Sequence, residues 1–347
     1  MKTYLVYVHI GKNASPILND VASQASPDEN LELILITDFP EMHKEFPGKI
    51  ITYKRSKNKK ILKSFNSQYP EKKSLAGGYW LNTLERVFAL NSLSSEIDAD
   101  SQIIHTESDV YSYLSEDFLT IIKSQNYEIA LPRFNDKRGI GSIVIFRNYE
   151  AIEKSLKLFQ NILNEINIEN DMELFGEALN RGYITELPSD PQRAVQIQEG
   201  KYLIFDGAAY GQYLFGQDPF HQNGDYISGY VNPYSSVNYT NTNWAISEFR
   251  GKSYVSFTTT GKTFFLANIH LHSKEKIEPL DSQSLFWQRV INEANGISPR
   301  IRRKSGIESI HNEKPSIYNR IQISRRLGIK KSIKRIKEKL VSAIKTS

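Results

Sequence analysis

The chain has no cysteine among its 347 residues. That excludes disulfides, thiolate metal sites and a cysteine nucleophile in one step, and it fits a reducing compartment. No stretch approaches the roughly 18 consecutive apolar residues that a membrane-spanning helix needs. The N-terminal run Met1–Ile10 carries one charge and is short and β-branched, so it reads as a first strand rather than a secretion signal. These absences lead us to expect a cytoplasmic protein, soluble or peripheral to a membrane. The chain has no internal repeat, and no G-x-G-x-x-G stretch opens a helix, which argues against a dinucleotide fingerprint.

What is present supports a real core. Hydrophobic residues make up 39% of the chain and aromatics 11%, and the length suits one large domain or two smaller ones. Charge is unevenly spread. From Pro299 to Ser347 there are 15 Lys and Arg against 3 Asp and Glu, a net of +12, whereas residues 1–298 carry 29 against 36. An acidic body thus bears a strongly basic C-terminal arm.

Residues 3–10 and 31–37 read as parallel strands, with a helix over Pro16–Ala25 between them. A third strand is expected over 49–55, followed by an exposed basic run that includes Lys54 and Arg55. Trp80, Leu84, Val87, Phe88 and Leu90 recur near helical spacing, which places a helix between Gly77 and Leu93. It leads to a strand over Ile103–Asp109. A short helix over Glu116–Ser124, strands at 129–132 and 139–147, and helices at 149–165 and 170–179 follow, the last capped by Asn170 or Asp171. We read Gly139 and Gly141 as places where a ligand approaches the backbone. After Pro188, aromatic-rich short strands replace the helices. The order argues α/β, with a mostly parallel sheet flanked by helices. In such sheets ligands bind outside the carboxyl ends of strands, which makes Thr37 and Asp38 candidate cofactor-binding residues.

Glu107 and Asp109 end the strand at 103–109. Two residues apart on an extended chain, they point the same way. Two carboxylates held close repel, and a hard divalent cation, Mg2+ or Mn2+, relieves that. A solvated strand end is the bland alternative. His270 and His272, two of only seven histidines, fall together two residues before Lys274 and form a second candidate site. Asp171 sits at a helix N-terminus as either a cap or a base, and Asp206-Gly207 reads as either a tight turn or an acceptor contact.

Taken together, the acidic pair, the Gly77-Gly78-Tyr79-Trp80 helix, the Gly141-Ser142 strand and the His270-x-His272-x-Lys274 stretch make residues 1–280 resemble GT-A glycosyltransferases. The likeness is greatest to bacterial enzymes that build capsule, O-antigen or other surface glycans. The family's acidic motif is usually Asp-x-Asp, and here it is Glu107-Ser108-Asp109. The resemblance implies a nucleotide-sugar donor, a glycan or lipid-linked acceptor, and Mn2+ or Mg2+. It implies Asp109 and His270 as metal ligands, Glu107 holding the metal through water or touching the donor, and Lys274 on the diphosphate. Asp171 is placed where inverting members keep the catalytic base, and Asp206 is the second candidate for that role. Trp80, with Tyr79, Tyr210, Tyr213 and Trp244, is a candidate for stacking on the donor. A non-catalytic carbohydrate-binding protein would need the aromatics but not the acidic pair, and a metal-dependent phosphotransferase or hydrolase would share the pair.

The tail, residues 281–347, is expected to be an extension. Ile329, Ile333, Ile336, Leu340 and Ile344 recur at helical spacing among Lys330, Lys331, Lys334, Arg335, Lys337, Lys339 and Lys345. A basic amphipathic helix of this kind lies on anionic membranes, each basic residue near the surface contributing about 1 kcal/mol. The expected place is the inner membrane face. Without interleaved aromatics, and with an acidic body, nucleic acid is not expected as a partner.

Overall fold

The computed structural model describes residues 2–12, 17–25, 31–58, 79–216, 229–232, 237–272, 277–296 and 300–301. Contacts gather Met1–Ile301 into one compact unit. The expected basic helix at 329–344, and the arm from Arg302 onward, lie outside the described residues.

The first half builds a mixed sheet. Strands β1 (Thr3–His9), β2 (Leu31–Thr37), β3 (Lys49–Thr52) and β4 (Gln102–Thr106) pair in parallel in the order β3-β2-β1-β4. Beyond Val110–Ser112 (β5), the sheet continues through β6 (Ile129–Asn135), β7 (Arg138–Gly139), β8 (Ile143–Phe146) and β9 (Thr185–Leu187). Strand β8 lies antiparallel between β4 and β6, and β9 is parallel to β6. The sheet is therefore α/β and mostly parallel, as expected, with β8 reversed in its middle and β7 reversed beside β6.

Both faces of this sheet are covered, which is why its strands read as unbroken apolar runs. Leu5, Tyr7, Leu35, Ile104 and Ile145 point to one core. Their neighbours Tyr4, Val6, Val8, Ile34, Ile103 and Val144 point to the other. Helices α2 (Tyr79–Ala89), α4 (Tyr149–Glu165) and α5 (Asp171–Asn180) contribute to the second core, through residues such as Leu84, Phe159 and Phe175. Helices α1 (Leu18–Gln24) and α3 (Glu116–Ser124) contribute to the first. Asn148 Oδ1 accepts the Ala151 N–H at 3.0 Å and starts α4, whose buried positions Ile152, Phe159 and Ile162 follow helical spacing.

The second half adds a five-stranded sheet. Strands β10 (Val195–Gln198), β11 (Lys201–Ile204), β13 (Asn243–Phe249), β14 (Lys252–Thr259) and β15 (Lys262–Leu266) pair in the order β10-β11-β15-β14-β13. Helix α6 (Ala209–Phe215), the short strand β12 (Tyr230–Val231), strand β16 (Asn268–His270), helix α7 (Leu285–Gly296) and strand β17 (Arg300–Ile301) complete the unit. β12 pairs with β17, and β16 runs antiparallel to β5. The aromatics of this half form one core with the first face of the main sheet. Tyr213 stacks on Trp244 with ring centroids 5.6 Å apart, and Tyr210 stacks on Phe257 at 5.4 Å. Trp287 of α7 is fully buried, and its Nε1 donates to the carbonyls of Glu278 and Pro279 at 3.0 and 3.1 Å. Helix α7 therefore belongs to the globular unit, past the boundary expected at residue 280.

Two expectations need correction. Gly139 and Gly141 do not open the backbone to a ligand. A Cβ at Gly141 would lie 2.8 Å from the Phe175 ring, and one at Gly139 would lie 2.7 Å from Leu131. Both glycines let α5 pack against the strand. Arg55 is not simply part of an exposed basic run. It makes a bidentate contact with the fully buried Glu85, to which Tyr53 Oη also donates at 3.0 Å. Among the described residues, no helix is long and apolar enough to cross a membrane.

Candidate metal and transfer site

The acidic pair does not ride on an extended strand. β4 stops at Thr106, and Glu107–Asp109 form a tight turn closed by the Val110 N–H donating to the Glu107 carbonyl at 3.2 Å. The turn, not strand alternation, brings the two carboxylates together. After it, β5 runs back beside β16 with Val110 opposite His270. The Leu271 N–H donates to the Asp109 carbonyl at 2.8 Å. These two strands bring His270, distant in sequence, to the acidic turn.

The result is a triad. His270 Nε2 lies 3.6 Å from Glu107 Oε2 and 3.6 Å from Asp109 Oδ1. The donor atoms of Glu107, Asp109 and His270 all lie within 4.8 Å of one another. Neighbouring ligands on an octahedral ion of Mg2+ size sit about 3 Å apart, so the two 3.6 Å separations would shorten by about 0.6 Å as the set closed on a cation. Two carboxylate oxygens and one imidazole nitrogen suit Mn2+ or Mg2+ better than a soft ion. The residues present therefore fit the metal that the sequence leads us to expect. The His270 ring stacks on His272 with centroids 4.1 Å apart, and its buried Nδ1 has no hydrogen-bond partner among the described residues.

Electrostatics at the triad are strong because it is largely buried. Burial alone would pull the His270 imidazolium down, but Asp109, Glu107 and Asp206 outweigh it and raise its pKa. Arg86, on α2, donates from Nη2 to Glu107 Oε1 at 2.7 Å. This cation was not legible as a site residue, because in sequence it is one polar position on an amphipathic helix.

Asp171 opens α5, but it is not the cap. Asn170 Oδ1 accepts the Glu173 N–H at 3.0 Å and does that work. Asp171 is thereby spared, and its buried Oδ1 has no partner among the described residues. Burial pushes its carboxyl up to about 6, with Arg86 pulling it down, Glu107 pushing it up, and the Thr83 hydroxyl and its own N–H pulling down. Asp171 thus shares its surroundings with Arg86 and Glu107.

Asp206 is also fully buried, but its lone pairs are occupied. Oδ1 accepts the N–H groups of Ala208 and Tyr210 at 2.8 and 3.1 Å, and Oδ2 accepts those of Gly211 and His270, both at 2.9 Å. Burial raises its pKa against the pull of those donors and of His270. Gly211 is required here, since a Cβ would lie 2.0 Å from the His270 carbonyl oxygen.

At the carboxyl ends of β1–β3, Asp38 Oδ1 accepts the Gly11 N–H at 2.8 Å, and its Oδ2 lies 3.8 Å from Arg55 Nη1. Thr37 Oγ1 accepts the Phe39 N–H at 3.2 Å. Both residues sit at the sheet edge where the sequence puts a ligand, and both already brace the loops there. Trp80 lies in the first turn of α2, with its side chain outside the described residues, and Lys274 is outside them altogether. Tyr210, Tyr213 and Trp244 are core residues rather than stacking platforms. His105 is also a core residue. Its Nδ1 lies 3.0 Å from the Val6 carbonyl oxygen, and burial pushes its pKa down to about 4.

No family model matches the chain, and no curated protein matches it. Solved structures similar to it include mouse xyloside xylosyltransferase 1 in its apo form, at 10% identity and a TM-score of 0.35, covering 54% of this chain and 86% of that one. The galactosyltransferase LgtC in complex with donor and acceptor sugar analogs is similar at 9% identity and a TM-score of 0.36, covering 55% and 76%. The glycosyltransferase GlyE of Streptococcus pneumoniae TIGR4 is similar at 15% identity and a TM-score of 0.32, covering 54% and 45%. At these scores the functional reading rests on the site itself.

Proposed function

We propose that this chain is a GT-A-type glycosyltransferase. It would move a sugar from a nucleotide-sugar donor to a glycan or lipid-linked acceptor, with Mn2+ or Mg2+ held by Glu107, Asp109 and His270. The observation that carries this reading is the triad. Two carboxylates and an imidazole from distant parts of the chain converge where a parallel strand ends, and an arginine pairs with one of the carboxylates.

When bound, the cation would act as a Lewis acid that neutralises the diphosphate leaving group. Glu107 is held by Arg86, and its second oxygen faces His270. Thr37 and Asp38 line the strand ends where the nucleoside would bind, with Trp80 and Lys274 assigned from sequence to the donor and its phosphates. Asp171 would accept the proton of the acceptor hydroxyl. As that oxygen bonds to the anomeric carbon, the bond from that carbon to the diphosphate oxygen breaks, and the proton stays on Asp171. A carboxyl raised to about 6 is a stronger base than an ordinary aspartate and is still ionised at neutral pH. Asp206, whose oxygens already accept four N–H groups, is better suited to holding structure than to moving protons.

The competing reading, a non-catalytic carbohydrate-binding protein, loses three of its five candidate platforms, because Tyr210, Tyr213 and Trp244 are buried. A phosphotransferase or hydrolase would keep the same triad. Incubation with a panel of nucleotide sugars and Mn2+ separates the three. Slow release of free sugar and nucleotide supports a glycosyltransferase, and silence across the panel in the presence of Mn2+ counts against it. The basic arm carries the further proposal that the enzyme works at the anionic inner face of a membrane.

A further inference from the structure

We infer that Ser142 and Asp206 are positioning residues that lock the Glu107–Asp109–His270 triad into a closed ring of hydrogen bonds. The inference rests on reading the triad as a divalent-cation site.

The ring can be followed bond by bond. The Glu107 N–H donates to the Ser142 carbonyl at 3.3 Å, beside Thr106 Oγ1, which donates to the same oxygen at 3.0 Å. Ser142 Oγ donates to the Asp206 carbonyl at 3.2 Å. Asp206 Oδ2 accepts the His270 N–H at 2.9 Å. The next residue, Leu271, donates its N–H to the Asp109 carbonyl at 2.8 Å, and the Val110 N–H returns to the Glu107 carbonyl at 3.2 Å. Asn268 braces the ring from inside, its Oδ1 accepting the Asp206 N–H and its Nδ2 donating to the Asp206 carbonyl, both at 3.0 Å. Ser142, Asp206 and Asn268 are all buried.

Each ligand side chain leaves a backbone fixed on this ring. Ser142 reaches the acidic turn with its carbonyl and Asp206 with its hydroxyl, so it couples β8 to both halves of the site. Asp206 does the same for His270. A buried carboxylate that spends all its acceptors on backbone N–H groups makes a rigid support, since breaking it would strand both the charge and the donors. Neither residue touches the donor atoms of the triad. Their effect must pass through the placement of Glu107 and His270, as outer supports of metal sites do.

The test is Mn2+ affinity, measured by calorimetry on the full chain well below the unfolding temperature. Ser142→Ala removes one bond with little change in volume, and Asp206→Asn turns one acceptor oxygen into a donor facing two N–H groups. Weakening of Mn2+ binding by about tenfold or more is expected for Asp206→Asn, and a smaller but resolved weakening for Ser142→Ala. Phe159→Leu, in the core on the other face of the sheet, should lower the unfolding temperature and leave Mn2+ affinity at the wild-type value. If both ring variants bind Mn2+ like wild type, or if Phe159→Leu loses as much affinity as they do, the positioning role is wrong. If Asp206→Asn does not fold, Ser142→Ala decides alone. If neither folds, the ring serves general stability and the inference falls. Wild-type protein that binds no Mn2+ would overturn the cation reading itself, an outcome distinct from variants that bind equally well.

Discussion

Arg86 Nη2 lies 2.7 Å from Glu107 Oε1, and both side chains are about one-seventh exposed, at 15% and 14%. The pair sets the charge balance of the site. Without a cation, Glu107, Asp109 and Asp171 crowd around this guanidinium and His270. The arginine keeps one oxygen of Glu107 occupied and leaves the other facing His270.

Arg86→Ala should therefore destabilise the metal-free protein. Removing one partner of a largely buried pair strands the other charge, and a loss of about 2 kcal/mol is expected. Added Mn2+ should restore more of the unfolding temperature in the variant than in wild type, because the cation replaces the missing charge. Thermal unfolding in EDTA and in Mn2+ measures this. Equal metal-induced shifts in both proteins would remove Arg86 from the site's charge balance.

Asp171 yields a prediction with a definite sign. Its carboxyl rises from 3.8 to about 6 on folding. The folded chain thus holds a proton that the unfolded chain has already released. The stability from that proton is fully present below about 4 and is lost as pH rises through about 6. Asp171→Asn should escape the loss and be more stable than wild type at pH 7.5, by up to about 3 kcal/mol. It should also lose sugar transfer. Denaturant unfolding at pH 4 and 7.5, beside a transfer assay, checks both halves. A variant that is less stable at pH 7.5 and fully active would return Asp171 to a structural role.

Arg55 and Glu85 give a test of the fold alone. Glu85 is fully buried and is held by Arg55 and Tyr53. Arg55→Met should cost about 3 kcal/mol in denaturant unfolding, because it leaves a buried carboxylate unpaired. A loss under about 0.5 kcal/mol, as for an ordinary surface position, would show that the pair does not form.

The sequence made the parallel strands legible because both faces of their sheet are covered, so Leu5, Val6, Leu33 and Ile34 all read as core. It offered Glu107 with Asp109, and His270 with His272, as separate candidates, and only the resemblance joined His270 to the acidic pair. It missed their geometry, because the turn after Thr106 has no glycine or proline to announce it. It misread Gly141, since a close approach to Phe175 and a close approach to a ligand leave the same mark on a sequence. It left the Asn170 or Asp171 cap open because both residue types cap helices, and only the bond from Glu173 N to Asn170 Oδ1 decides between them. Arg86, Ser142 and Asn268 were illegible because their roles depend on contacts far away in the chain.

The basic arm has its own test. A chain ending after Ile301 should keep donor hydrolysis but lose binding to anionic vesicles, and the full chain should release from them as salt rises. Full-length protein that binds neutral and anionic vesicles equally would rule out electrostatic docking.

Donor hydrolysis by wild type and Asp109→Asn, with Mn2+ and with EDTA, tests the central claim most directly. Wild type should cleave one member of a nucleotide-sugar panel in Mn2+ and stop in EDTA. Asp109→Asn, folded by circular dichroism, should be slower by about a hundredfold or more, as expected when a group that stabilises the leaving charge is removed. Wild-type rates unchanged by EDTA, or an Asp109→Asn rate equal to wild type in Mn2+, would contradict the account.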